Sequence, residues 1–205
     1  MLWRHGRTDW NVVDRFQGHT DVELDDVGRE QATRAARLLT GLAPDAIVSS
    51  DLKRAADTAA ELGHLTRLPV GTDPRLRETD AGYWQGQTVE QMLATDQVAY
   101  ELWRSGADVP AGGAESRSDV AARVVPAMLE ALDRVRDGGT LVVVTHGGTA
   151  RAAIGTLLGL EVDHWAAIGG LSNCCWSVLS EGEPFWRLLE HNAGSLPQPV
   201  LCDEH

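Results

Sequence analysis

Two short segments carry the residues best suited to chemistry. Leu2-Trp3-Arg4-His5-Gly6-Arg7-Thr8 and Val144-Thr145-His146-Gly147-Gly148-Thr149 each run from apolar residues into His-Gly and then a polar turn. If the apolar runs are neighbouring parallel strands, His5 and His146 face one crevice at the carboxyl ends of a sheet. Open α/β sheets hold their ligands there. A neutral imidazole is a competent nucleophile toward phosphorus when its other nitrogen is fixed by an acceptor. Arg4 precedes His5, and Arg54 is expected on the first turn of the helix after Val48-Ser49-Ser50, facing the same edge. Gly6 lets the backbone turn closely against a ligand, and Thr8 and Asn11 offer short polar arms for phosphate oxygens. At the second turn, the amides of Gly147 and Gly148 would point at an anion, helped by the helix N-terminus. Singly, His5 or Arg54 reads as structural. Together they suit phosphoryl transfer, a problem of positioning and charge stabilisation.

The elements that must position these groups alternate. Asp26–Leu42 reads as a helix with Ala32, Ala35, Ala36, Leu38 and Leu39 at helical spacing. Ala46–Ser49 is a short buried strand, and Asp51 is placed to cap a helix carrying Arg54, Ala55, Thr58, Ala59 and Leu62. Leu68-Pro69-Val70 is a weak strand candidate. Pro74–Thr88 is a loop holding Glu78, Tyr83 and Trp84, followed by a helix over Val89–Arg104. Ser116-Arg117-Ser118-Asp119 has the form of a capping box for a helix reaching about Arg136, which Pro126 should kink or divide. Leu141–Thr145 is the clearest strand, Gly148–Leu158 a helix, and Asn173–Leu179 and Phe185–Leu189 late strands. The pattern predicts an α/β fold: a three-layer α/β/α sandwich with a predominantly parallel sheet, as one domain over residues 1–205.

Composition narrows the partners. The chain has 205 residues and a net charge of −12, which disfavours nucleic acid and anionic lipid surfaces. No apolar run is long enough to span a bilayer, and no signal-peptide pattern opens the chain, so a cytoplasmic location is expected. Of the 18 basic residues all but Lys53 are arginine, so an arginine is weak evidence of anion binding by itself. Cys174, Cys175 and Cys202 lack metal-site or disulfide spacing and are expected reduced, with Cys174 and Cys175 on opposite faces of a strand. Neither a metal nor a cofactor is expected.

Five ordered motifs spanning essentially the whole chain resemble the histidine phosphatase superfamily, which includes the cofactor-dependent phosphoglycerate mutases. They are Arg4-His5-Gly6 with Thr8, Asn11, Gln17-Gly18, Asp21, Leu24, Gly28 and Gln31-Ala32; Ser49-Ser50-Asp51-Leu52-Lys53-Arg54-Ala55; Leu76-Arg77-Glu78 with Gly82, Trp84, Gly86 and Thr88; Gly113-Ala114-Glu115-Ser116, with one inserted alanine; and Val143–Gly148. The resemblance implies that His5 is the nucleophile that becomes phosphorylated. It implies that Arg4, Arg54 and His146 cage the phosphoryl group and that Glu78 protonates the leaving group, then serves as base for water. Thr8, Asn11, Gln17, Gly18 and Gly147 would contribute to substrate binding. For the acid role Glu78 must be protonated near neutral pH, which needs partial burial or a neighbouring phosphate.

Two features depart from the family pattern. Only Met1, Leu2 and Trp3 precede the first motif, so that central strand is expected to be weakly anchored. Arg7 stands where Glu or Gln is usual and is expected to be a solvated rim residue.

Mutases of the family follow their acid with His-Tyr-Gly and a longer insertion. Here Glu78 is followed by Thr79-Asp80-Ala81-Gly82-Tyr83-Trp84, the phosphatase-like form. Gly169-Gly170-Leu171-Ser172-Asn173 with Trp176, and Trp186-Arg187-Leu188 with Asn192-Ala193, resemble the C-terminal region of actinobacterial glucosyl-3-phosphoglycerate phosphatases. That implies a small phosphorylated substrate bearing a carboxylate and a sugar. A mutase, a broad-specificity or α-ribazole phosphatase, and a phospholigand-binding sensor are the alternatives. Family habit, rather than anything derivable from the sequence itself, suggests a homodimer through the late strands and the Trp165 to Trp186 region.

Overall fold

In the computed structural model, which describes residues 1–194, six strands form one sheet flanked by helices. They are β1 (Leu2–Arg4), β2 (Ala46–Ser49), β3 (Val70–Thr72), β4 (Leu141–Thr145), β5 (Trp176–Ser180) and β6 (Arg187–Ala193), in the order β3-β2-β4-β1-β5-β6. The first four run parallel, while β5 and β6 are antiparallel additions. The helices are α1 (Asp9–Val12), α2 (Asp26–Leu39), α3 (Lys53–Thr66), α4 (Val89–Ser105), α5 (Arg117–Leu132) and α6 (Gly147–Leu157).

The side-chain alternation of β4 explains the layers. Leu141 and Val143 point into a core with Val124, Met128, Ala153 and Ile154 from α5 and α6. Val142 and Val144 point the other way, against Ala32, Ala36, Ala55 and Ala59 from α2 and α3. All five residues of β4 are buried, four of them apolar, and the one polar side chain, Thr145, donates its hydroxyl to the Leu76 carbonyl at 2.7 Å. Alanines on the helix faces let α2 and α3 approach the sheet closely. A third cluster, built on Trp84, Met92 and Tyr100 with Phe16 and Trp103 against it, forms from the segment after Glu78 and α4.

The short first strand is well anchored, against expectation. β1 lies between β4 and β5, Leu2 and Trp3 are fully buried, and the Trp3 indole donates to the Cys174 carbonyl at 3.1 Å. Hydrogen-bonded partners on both sides compensate for its length.

Other local expectations shift. Pro126 does not divide α5, whose residues stay helical through it. Pro126 and Ala122 are both exposed, so the carbonyl deprived of its N–H partner faces water. The helix ends at Leu132, short of Arg136. Asp51 does not cap α3. The Lys53 amide donates instead to Asp21 Oδ1 at 2.7 Å, and Asp51 forms a two-pronged pair with Arg77. Cys174 is not in a strand: it is left-handed (φ 57°) in a turn closed by Cys175 N–H to Ser172 C=O, which delays β5 to Trp176. Cys174 and Cys175 are free thiols, and burial pushes Cys174 up to about 12; Cys202 lies outside the described residues. β3 begins at Val70 rather than Leu68, and β6 starts two residues later than expected and extends to Ala193.

Candidate active site

The register of the sheet brings the two histidines together. Arg4 on β1 pairs with Thr145 on β4, so the next residue of each strand, His5 and His146, emerges at the same edge. Their ring centroids are 5.1 Å apart, and both rings are almost fully buried.

Their second nitrogens differ. His5 Nδ1 lies 2.7 Å from the Gly6 carbonyl, which accepts only, so Nδ1 carries the proton and Nε2 keeps its lone pair. His146 Nε2 lies 3.0 Å from Ser50 Oγ, and its Nδ1 is buried with no protein partner among the described residues. Arg4 Nε and Arg54 Nε are likewise buried and unpartnered. Three nitrogens with unmet bonding capacity thus surround the His5 edge, and buried polar atoms otherwise find partners. An anion with several oxygens satisfies them.

The arginines are held by backbone carbonyls rather than carboxylates. Arg54, fully buried on the first turn of α3, donates to Gly18 and Thr20 carbonyls, each at 2.8 Å. Arg4 donates to the Leu171 carbonyl at 2.5 Å. Neutral acceptors orient each guanidinium without cancelling its charge. Burial pushes Arg54 down to about 10, which leaves it protonated at neutral pH.

The same burial, followed by the charges of Arg54 and Arg4, holds His5 well below its ordinary value. His146 is lowered by burial first and then by Arg54, His5 and Arg4. Both imidazoles are therefore neutral in the folded protein at neutral pH, while the unfolded chain binds their protons below about pH 6.5. The stability they contribute is present above that pH and is lost as the pH falls below it, because the unfolded chain then binds protons that the buried rings do not. The urea midpoint is expected to drop between pH 6.5 and 5.5. A flat midpoint over that range would show the rings taking up protons in the folded state.

Glu78 reaches the site from the loop before α4, at the N-terminus of α6. Its Oε1 accepts from the amides of Thr79 (2.9 Å) and Thr149 (3.0 Å), and its Oε2 from the Gly148 amide (3.1 Å). The Gly148 amide therefore holds the acid, correcting the expectation that it faces the substrate anion. Among the described residues none accepts from the Gly147 amide, which stays available; a Cβ at Gly147 would stand 3.6 Å from Arg4 Nε.

Thr8 and Asn11 form a reciprocal capping box on α1, and Asn11 Oδ1 also accepts from Asn173 Nδ2. Their oxygens are thus engaged, leaving the Asn11 Nδ2 as a donor. Gln17 is buried, and its Oε1 has no partner among the described residues. Gly18 turns its carbonyl to Arg54 and needs its positive φ of 51°, since a Cβ there would meet Gln85 at 2.4 Å. Arg7 pairs with Asp25 at the rim.

Sequence reasoning missed four supports. Ser50 orients His146. Thr58 Oγ1 accepts from the Gly6 amide at 3.1 Å. His19 Nε2 and Arg123 Nη2 both contact the Glu78 carbonyl at 2.8 Å, and Arg123 also grips the Arg75 and Arg77 carbonyls and Glu115. Glu115 stood in a quoted motif, but nothing in the sequence marked Arg123 among so many arginines.

A two-histidine, two-arginine cage with a carboxylate at its edge suits phosphoryl transfer. Residues 1–194 match the family model described as the histidine phosphatase superfamily, branch 1. The chain belongs to the histidine phosphatase superfamily. It is 42% identical to the glucosyl-3-phosphoglycerate phosphatase of Mycolicibacterium vanbaalenii over 95% of this chain and 94% of that one. The Mycobacterium tuberculosis protein of the same name is 43% identical, with the same coverage. The solved mycobacterial glucosyl-3-phosphoglycerate phosphatase complexed with VO3 superposes with a TM-score of 0.89 at 45% identity, over 94% of this chain and 98% of that one. The Entamoeba histolytica phosphoserine phosphatase in complex with 3-phosphoglyceric acid gives 0.81 at 28% identity, over 95% and 96%. This member of the histidine phosphatase superfamily is accordingly a phosphatase.

Proposed function

We propose that this chain hydrolyses glucosyl-3-phosphoglycerate through a phosphohistidine on His5. The observation that carries the covalent step is the His5 ring itself: Nδ1–H is fixed on the Gly6 carbonyl, and Nε2 stands bare beside the unpartnered nitrogens of Arg4, Arg54 and His146. Nε2 attacks phosphorus while the ester P–O bond breaks. The leaving oxygen takes a proton from Glu78, whose Oε2 has one amide donor against two on Oε1 and is the freer to carry it. Water then attacks the phosphohistidine, gives its proton to Glu78 and breaks the P–N bond. Arg4, Arg54, His146 and the Gly147 amide stabilise the equatorial oxygens throughout, with Asn11 and Gln17 at the margin.

The substrate assignment rests on 42–43% identity to two proteins of that name across nearly the whole length. Phosphate release is expected to be at least about tenfold more efficient, in kcat/KM, with glucosyl-3-phosphoglycerate than with phosphoserine, 3-phosphoglycerate or α-ribazole phosphate. Equal efficiency on all four would leave a broad-specificity phosphatase. Interconversion of 2- and 3-phosphoglycerate outrunning phosphate release would make the chain a mutase.

A further inference from the structure

A second pair of cationic side chains stands beside Glu78 and has no part in the phosphoryl cage. Arg151 lies on α6, one turn past the amides that hold the Glu78 carboxylate. Its side chain reaches across to the loop carrying Arg4's carbonyl acceptor, so that a Cβ on Gly170 would lie 3.4 Å from its Nη2. Arg151 Nε is buried and has no acceptor among the described residues. Arg117, at the start of α5, is pinned by the Ala107 and Trp103 carbonyls at 2.6 and 2.5 Å and stacks on the Trp103 ring at 5.1 Å.

Among the described residues, neither arginine has a carboxylate at ion-pair distance, although Arg7, Arg75, Arg77, Arg123 and Arg136 all do. Burial first and then the charge of Arg151 lower Arg117, while burial lowers Arg151 and the nearby Glu78 carboxylate partly offsets it. Like charges held side by side over a shared cleft are unfavourable unless an anion joins them. That cleft, of about 30 Å³, is bounded by both arginines, Thr79, Gly148, Trp103 and Trp165. It has room for one small group. Thr79 and Gly148 both donate their amides to Glu78, so the cleft adjoins the acid.

We infer that Arg151, backed by Arg117, forms a subsite for a carboxylate on the leaving-group half of the substrate. This rests on Glu78 serving as the acid for the leaving oxygen, because whatever extends past Glu78 must then belong to the departing alcohol. The class selected is a phosphate ester whose carboxylate lies a few bonds from the ester oxygen. An arginine accepts such a group through paired N–H donors, which gives orientation as well as attraction.

The test compares phosphate release from 3-phosphoglycerate with that from glycerol 3-phosphate, in which CH₂OH replaces the carboxylate. The wild-type protein is expected to favour 3-phosphoglycerate by about 10- to 100-fold in kcat/KM. Arg151→Met should reduce that preference at least about tenfold, through a raised KM for 3-phosphoglycerate, and Arg151→Lys should restore part of it by keeping the charge. Equal losses on both substrates would assign Arg151 to positioning Glu78 or to folding and overturn the subsite. A wild-type ratio near one, or a ratio unchanged in Arg151→Met, would also overturn it. The glucosyl preference is read separately, from glucosyl-3-phosphoglycerate against 3-phosphoglycerate, so either inference can fail while the other stands.

Discussion

Replacing His5 by alanine is expected to lower phosphate release by about 10⁴-fold or more, because the covalent route loses its only nucleophile. The fold should tolerate the change. The His5 side chain bonds only to its neighbour's carbonyl, whereas the ladder contacts at this position, His5 N–H to Thr145 C=O and Cys174 N–H to His5 C=O, belong to the backbone. The variant and the wild type should therefore both unfold cooperatively. Turnover of ³²P-labelled substrate quenched in alkaline detergent should leave label on the wild-type protein, in a linkage stable to base and labile to acid, and none on the variant. Retained phosphate release in His5→Ala would end the nucleophile assignment. Full activity loss with no label on the wild-type protein would point to direct attack by water.

Glu78→Gln separates the two chemical steps. Glutamine keeps an oxygen for the amides at the start of α6 but cannot deliver a proton. Turnover of an alkyl phosphate is expected to fall by about 10² to 10⁴-fold. A p-nitrophenyl ester behaves differently, since p-nitrophenolate leaves without protonation. Its first step survives, while the second still needs a base to take the proton of attacking water. A burst of about one equivalent of p-nitrophenol, followed by slow release, is therefore expected in stopped-flow absorbance. Equal slowing of both substrates without a burst would mean that Glu78 holds the site together rather than moving a proton.

The helix N-terminus shows why anion sites are hard to read from sequence. His146-Gly147-Gly148-Thr149 opens a helix, and such a start attracts an anion. The anion there is Glu78, supplied from a loop some 70 residues earlier in the chain. Gly148 and Thr149 thus fix the acid, and only the Gly147 amide remains for a phosphoryl oxygen. Thr8 and Asn11 carry a similar lesson. Short polar side chains flanking His-Gly suit phosphate, but they equally suit a capping box, and their mutual bonds satisfy α1. Asp51 looked like a cap by position, yet a bidentate arginine from the Glu78 segment claims it, and Asp21 caps the helix instead.

By itself the sequence determined the alternation of strands and helices, the fully buried β4, and the convergence of His5, His146 and Arg54 on one sheet edge. Those follow from local rules: apolar periodicity, and the constraint that strand-to-helix turns of a parallel sheet share one edge. Tertiary structure alone decided the order β2-β4-β1-β5, which puts Arg4 level with Thr145 and so sets the two rings 5.1 Å apart. It also decided what each site residue bonds to: Gly6 for His5, Ser50 for His146, Gly18 and Thr20 for Arg54, and Arg123 for the Glu78 segment. Hydrogen-bond partners far apart in the chain leave no periodic trace. Among so many arginines, only burial and geometry distinguish Arg4, Arg54 and Arg151 from those that pair with carboxylates.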